Sequence, residues 1–336
     1  MSTTTNILDL VGAHPNGRPR EPFPAAKAWT RQSLAESDWT LSVGDAVKKE
    51  LADVVAQLRR QKLPIPMLDP AYFQLGASLS LMGMAKRMVH DGHGFAILDG
   101  FDLDDWSEEE NKAVYWLLGK LLSRPVAQDA KGMLFRHIRY MGEDEKGGAD
   151  RSLTTKRLAY HNDNSGNRDV PQYQSLLCLH AAEEGGVSEY CSMYSLYNAM
   201  AKEAPVELER LFQPFFHNRL GIQADRQAVA IRAPALAWDG NKLFGRYSIN
   251  KITGGYREAG LPMDNESLAA LECVISIIPA RQLSAQYMLR RGQMVIINNR
   301  EGFHHREAFK NGAGQEQQRH LVRMWFREEG SPAFDG

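Results

Sequence analysis

An α+β fold, with a helical layer set on an antiparallel β barrel, is predicted by three features of the sequence. The first third of the chain carries amphipathic helical segments with clear start and stop signals. From about residue 125, short apolar runs alternate with turns rich in Gly, Pro, Asn and Asp, as in β sandwiches and barrels. Two further helical segments interrupt those runs. At 336 residues the chain is long enough for one large core or two modest ones.

The elements follow in order. Residues 1–40 are rich in Pro, Gly and polar side chains, with Trp29 and Trp39 as isolated anchors, and read as an irregular arm wrapped on a domain. In "GDAVKKELADVVAQLRR", Val47, Leu51, Val54, Val55 and Leu58 recur at spacings of three and four, which predicts a helix. "SLSLMGMAKRMVHDG" is a second helix ending near Gly92, and "HGFAILDGF" is a short strand closed by Gly100. "SEEENKAVYWLLGKLL" opens with Ser107 and Glu110 in capping-box spacing and continues as a helix. Strands are expected in "GMLFRHIRYMG", "SLLCLHAA", "KLFGRYSI", "QYMLRRGQ", "MVIINN" and "HLVRMWFR". The interrupting helices are "SLYNAMAKEAPVELERLF", in which Pro205 opens a second helix, and "DNESLAALECVISII". With no repeat or low-complexity tract, residues 41–330 read as a single domain with its β core at about 125–327.

Charge and cysteine content narrow the function classes. Net charge is −1 and no long run of one sign occurs, so nothing in bulk charge favours a nucleic-acid or membrane partner. Cys178, Cys191 and Cys273 are few, odd in number and unclustered, which fits a reducing compartment. Without a leader-like start or an apolar stretch of about 20 residues, a cytoplasmic location is expected.

The stretch "YHNDNSG" sets His161 and Asp163 two apart, just before an apolar run. In a strand, that spacing puts both side chains on one face. Such a pair is a polar turn or two-thirds of a metal site. A third ligand is available in "INNREGFHHREAF", which follows the apolar run Met294–Ile297 and the turn at Gly292. Two imidazoles and a carboxylate on one face of an octahedron leave open positions, as in non-haem Fe(II) oxygenases.

An ordered set of segments resembles the taurine dioxygenase-like Fe(II)/2-oxoglutarate-dependent oxygenases. "AYHNDNSGNRDVPQYQSLLCLHAAEEGGVSEYCS" resembles the family's first metal segment, "NNREGFHHREAF" its second, and "RHLVRMWFR" its closing strand with two arginines. The similarity spans roughly residues 90–327. It implies a double-stranded β-helix (jelly-roll) barrel with an N-terminal and an inserted helical layer. It also implies Fe(II) on His161, Asp163 and His304, with 2-oxoglutarate and O2 as cosubstrates and ascorbate as reductant in vitro. Aligning the "NN" and "R-X-AF" selects His304 over His305, which sits where the family is usually small and is expected to crowd the site. Ser188 and Arg319 match the positions that hold the far carboxylate of 2-oxoglutarate, and a guanidinium fork suits a carboxylate. Arg323, four residues on, shares a strand face with Arg319, and is assigned to the cosubstrate or to an anionic group of the substrate, with an internal carboxylate partner as the structural alternative.

The implied reaction is hydroxylation, desaturation or cyclisation of a small to medium molecule, such as an amino-acid derivative or secondary metabolite. Family members that halogenate have Gly or Ala in place of Asp163, so halogenation is not expected. A non-catalytic metal-binding sensor barrel is the alternative, and the retained Arg319 and Ser188 count against it. A metal-dependent hydrolase would want a further general base, which Asn162 and Asn164 cannot supply. The substrate pocket is expected around residues 135–165, Phe216 and Tyr247, where aromatics mix with arginines. A homo-oligomer is compatible with the sequence. His137, His180 and His217 are read as structural, Cys178 and Cys191 as small hydrophobes, and Tyr190 either as packing or as a neighbour of 2-oxoglutarate.

Overall fold

The computed structural model describes residues 7–10, 17–140, 151–219, 228–314 and 317–336. Its frame is two sheets with helices on their outer faces. Eleven strands build the sheets: β1 (Thr40–Ser42), β2 (Phe95–Asp99), β3 (Arg124–Val126), β4 (Arg136–Arg139), β5 (Leu158–His161), β6 (Tyr173–His180), β7 (Ser188–Ser192), β8 (Ser284–Tyr287), β9 (Gln293–Asn298), β10 (Gly302–Arg306) and β11 (His320–Arg327). The larger sheet runs β1-β2-β9-β6-β11-β3, with β4 also paired to β11, and the smaller runs β8-β7-β10-β5. Pairing is antiparallel except between β1 and β2. Short ribbons complete the β structure, among them Pro214–Asn218 with Ala230–Pro234.

Strand alternation sorts the side chains into three layers. Tyr173, Leu177, Met294, Ile296, Val322, Met324 and Phe326 point from the larger sheet to α1 (Asp45–Arg60), α2 (Gly76–His90) and α3 (Glu108–Leu122). Phe95, Ile97, Cys178, Val295, Ile297 and Leu321 point the other way, and meet Tyr190 and Ala285 of the smaller sheet. Trp29 and Trp39 close this middle layer, as their isolation in the arm suggested. On the smaller sheet, Tyr160, Cys191 and Phe303 face α4 (Met193–Glu203), α5 (Pro205–Leu211), α6 (Ile249–Ala259) and α7 (Asn265–Ala280). Gly302 lies so close to the Tyr190 ring that a β-carbon would overlap it, and this lets β10 settle on β7. Tyr190 is therefore a packing residue, with its hydroxyl donating to Asn298 O at 3.0 Å.

Most expected elements are present, and Ser107 accepts from Glu110 N in the capping box that opens α3. Two expectations need correction. "KLFGRYSI" forms a strand only at Leu243–Gly245, and α6 follows at once. Ser248 caps α6, Gly260 ends it at φ +68°, and Gly254 and Gly255 press it onto Asn218 and Phe216, where a β-carbon would collide. The strand expected in "QYMLRRGQ" instead spans Ser284–Tyr287. Among the described residues, no helix is long and apolar enough to cross a membrane.

Candidate metal centre

The pairing of β10 with β5 sets His304 directly opposite His161. Their ring centroids lie 4.1 Å apart. Asp163 follows β5 by two residues and turns its Oδ1 to both imidazoles, 3.5 Å from His161 Nε2 and 3.7 Å from His304 Nε2. These three are a group of side chains that could hold a metal ion. His161 Nδ1–H donates to Ala159 O at 2.8 Å, which turns Nε2 toward Asp163. Burial, with His161 alongside, pulls the His304 imidazole down to about 4, so it is neutral at physiological pH. Burial pushes the Asp163 carboxyl up, but the Arg323 guanidinium and the two imidazoles outweigh it and hold it well below the usual carboxylate range. One carboxylate and two imidazole rings thus converge, an arrangement that suits a cation between them.

The backbone under the triad is fixed by two asparagines. Asn162 Nδ2 donates to Asn299 O and Gly302 O, and Asn162 Oδ1 accepts from Tyr247 N. Asn299 Oδ1 accepts from Asp163 N at 2.7 Å, and its Nδ2 donates to Asp163 O and Pro171 O. The outer carboxylate oxygen is also held: Asp163 Oδ2 accepts from Arg323 Nη1 at 3.0 Å and from Trp325 Nε1 at 2.8 Å. Gln128 Oε1 accepts from Arg323 Nε. Arg323 therefore engages the triad carboxylate itself, the internal-carboxylate alternative among the partners expected for it. Sequence reasoning overlooked Trp325 and Gln128. Trp325 had a findable signal, since it lies two residues past Arg323 on the same strand face.

A cavity opens beside the triad, lined among others by Ser188, Tyr287, Arg319 and Arg323. Arg319 is buried, and its Nη1 has no hydrogen-bond partner among the described residues. Burial lowers its pKa to about 10, so it remains charged at neutral pH. A buried guanidinium nitrogen with no acceptor fits a carboxylate that arrives with a ligand.

Other expected residues fall elsewhere. His305 borders the cavity but turns its ring to the opposite side of β10 from the triad, against Tyr160, where its Nε2 accepts from Arg157 Nε at 2.8 Å. Tyr247 is buried with its hydroxyl donating to Leu271 O, and Phe216 meets Tyr256 edge-to-face, so neither lines the cavity. Both belong to the helical side of the smaller sheet, which the missed α6 helps to build. Residues 141–150 of the expected pocket loop, and 315–316 of the loop before Arg319, lie outside the described residues. His217 is buried against Ala233 O, and His137 hydrogen-bonds His320 at 2.8 Å, in keeping with structural roles.

Two sheets with helical outer layers thus carry between them a His/Asp/His cluster that could hold a metal ion. The family model for the taurine catabolism dioxygenase TauD, TfdA family matches residues 72–325, and the chain belongs to this family. It is a dioxygenase, as the sequence resemblance implied. FR-33289 synthase of Streptomyces rubellomurinus is 23% identical over 322 residues, covering 94% of this chain and 93% of that protein. The taurine hydroxylase-like protein SAT17 of Stachybotrys chartarum is 27% identical, covering 88% of this chain and 77% of that protein. Among solved structures, asparagine oxygenase in complex with Fe(II), 3-hydroxyasparagine and succinate superposes with a TM-score of 0.65 at 16% identity, covering 86% of this chain and 94% of that one. The non-heme iron oxygenase OrfP in complex with Fe and alpha-ketoglutaric acid gives 0.64 at 15% identity, with the same coverage. At these identities the likeness speaks for the mixed helix and sheet fold alone.

Proposed function

We propose that the chain hydroxylates a small molecule, with Fe(II) held by His161, Asp163 and His304 and 2-oxoglutarate anchored by Arg319 and Ser188. The observation that carries this reading is the pairing, in one cavity, of three converging side chains with Arg319, whose buried Nη1 has no hydrogen-bond partner among the described residues. Bound there, the metal and 2-oxoglutarate supply O2-dependent oxidative decarboxylation coupled to oxidation of the substrate. The chain's own side chains hold and orient. His161 and His304 offer ring nitrogens, Asp163 offers one oxygen while Arg323 and Trp325 hold the other, and Arg319 with Ser188 meets the far carboxylate. Arg323 is thus a positioning residue for Asp163 rather than a cosubstrate ligand. The aliphatic wall of Leu176, Val295 and Ile297 keeps water from the bound cosubstrate.

In this reading the two sheets are the halves of a double-stranded β-helix within one domain at 41–330, and residues 1–40 are an arm. The substrate is a small polar molecule such as an amino-acid derivative. Asparagine oxygenase and OrfP, the latter solved with L-Arg, support that class. The test is 2-oxoglutarate consumption with Fe(II) and ascorbate across a metabolite library. Absence of 2-oxoglutarate binding to the Fe(II)-loaded protein would overturn the assignment.

A further inference from the structure

Strand β6, in the middle of the larger sheet, divides its side chains between two environments. Tyr173, Leu177 and Leu179 pack on the helical side, while Gln174 and Leu176 face the cavity beside the triad. The neighbouring cavity residues on β9 are Val295 and Ile297. Into this apolar wall the sequence places one primary amide. Gln174 is 4% exposed, and its Oε1 is buried with no hydrogen-bond partner among the described residues. A buried amide left unpaired destabilises the fold relative to an aliphatic side chain of similar size, so packing does not explain it. No hydrogen bond fixes which end of the amide faces the cavity, so its N–H is available there.

Register gives the amide its place. Gln174 is paired with Ile297 on one side and Trp325 on the other, and Trp325 donates to Asp163 Oδ2. One pair further along, Arg323 faces Leu176, and Leu321 faces Cys178, with Arg319 beyond. The inner wall therefore runs from Gln174, beside the carboxylate of the triad, to Arg319 at the far end. A dicarboxylate held by Arg319 at one end and by the triad's metal at the other has its metal-side end next to this amide.

We infer that Gln174 is a cosubstrate-binding residue, whose amide N–H donates to the carboxylate of 2-oxoglutarate on the metal side. The inference rests on the metal and cosubstrate assignment proposed above. A neutral donor suits this position, because the same wall already carries the guanidinium groups of Arg319 and Arg323. It adds a hydrogen bond without further positive charge beside the metal.

Anaerobic titration of 2-oxoglutarate into the Fe(II)-loaded protein, followed by the visible charge-transfer absorption of the chelate, tests this. Gln174→Leu should raise the Kd for 2-oxoglutarate on the order of ten- to a hundredfold. Fe(II) binding without cosubstrate should stay within about twofold, and the metal-free protein should melt at the same temperature or higher, since an unpaired polar group is removed. Gln174→Glu should bind 2-oxoglutarate more weakly still, through repulsion between carboxylates, and serves if the leucine variant does not fold. Unchanged 2-oxoglutarate affinity in both variants overturns the inference. So does a fall in melting temperature with parallel loss of Fe(II) binding, which marks a structural residue. Failure of the unaltered protein to bind 2-oxoglutarate is a separate result: it removes the proposed function and this inference with it.

Discussion

At the scale of single residues, Asp163 divides its two oxygens between different tasks. Oδ1 faces the imidazoles, while Oδ2 is held by Arg323 and Trp325. Partners of this kind around a metal ligand are worth about ten- to a hundredfold in metal affinity. Arg323→Gln should therefore weaken Fe(II) binding by about that factor, measured by equilibrium dialysis. If it instead leaves Fe(II) binding intact and weakens only 2-oxoglutarate, Arg323 serves the cosubstrate. His304→Ala should abolish Fe(II) binding, whereas His305→Ala should retain it, because His305 turns away toward Tyr160 and Arg157. The reverse pattern would exchange the two histidines. Arg319→Lys replaces a fork by a point charge, and should raise the Kd for 2-oxoglutarate by about ten- to two-hundredfold. Ser188→Ala should do less, since it removes one neutral donor. An Arg319→Lys variant with unaltered affinity would place the anchor elsewhere.

At the scale of elements, legibility followed the strength of local signals. Helix α3 could be read because its amphipathic run and its cap agree. Glu110 returns the capping interaction to Ser107 N at 2.8 Å and also pairs with Arg59. Ser107→Ala should lower the melting temperature by about 2 °C, from a cap worth about 1 kcal/mol. Hydrogen bonds from Arg59, then from Ser107 N, draw the Glu110 carboxyl down to about 2. A depressed folded-state pKa stabilises above the ordinary carboxylate range, and that stabilisation fades as pH falls toward about 2. Glu110→Gln should thus be less stable than the unaltered protein at pH 6, with the difference shrinking in acid denaturation profiles; a constant gap would remove the charge from the account. Helix α6 was illegible because its glycines, poor helix formers, serve close packing on the Pro214–Asn218 strand. The triad's membership was legible as an ordered set of motifs. The Arg323–Asp163 contact was not, since it depends on how far the β5 turn leans across to β11, and no local pattern encodes that distance.

At the scale of the whole molecule, the site is where separate sheets and distant chain segments meet. Ligands that bind only the folded state raise its stability by mass action, by about 2.7 kcal/mol at a hundredfold excess over Kd. Saturating Fe(II) with 2-oxoglutarate should raise the melting temperature by roughly 5 °C. Either alone should do less, and no shift with both would argue against a shared site. The bridge between Asn162 and Asn299 has a further consequence, in time. These residues are 137 apart in the chain, and the β5–β10 pairing beside them joins His161 to His304. Contacts across so long a loop close late in folding, after most of the entropy of the intervening chain has been lost. During synthesis, His161 and Asp163 emerge well before His304, and meanwhile can offer iron only half a grip. The metal is therefore expected to enter a finished protein rather than to nucleate it: refolding rates should be indifferent to Fe(II), and iron supply should set how much of the enzyme is active without changing how much of it folds.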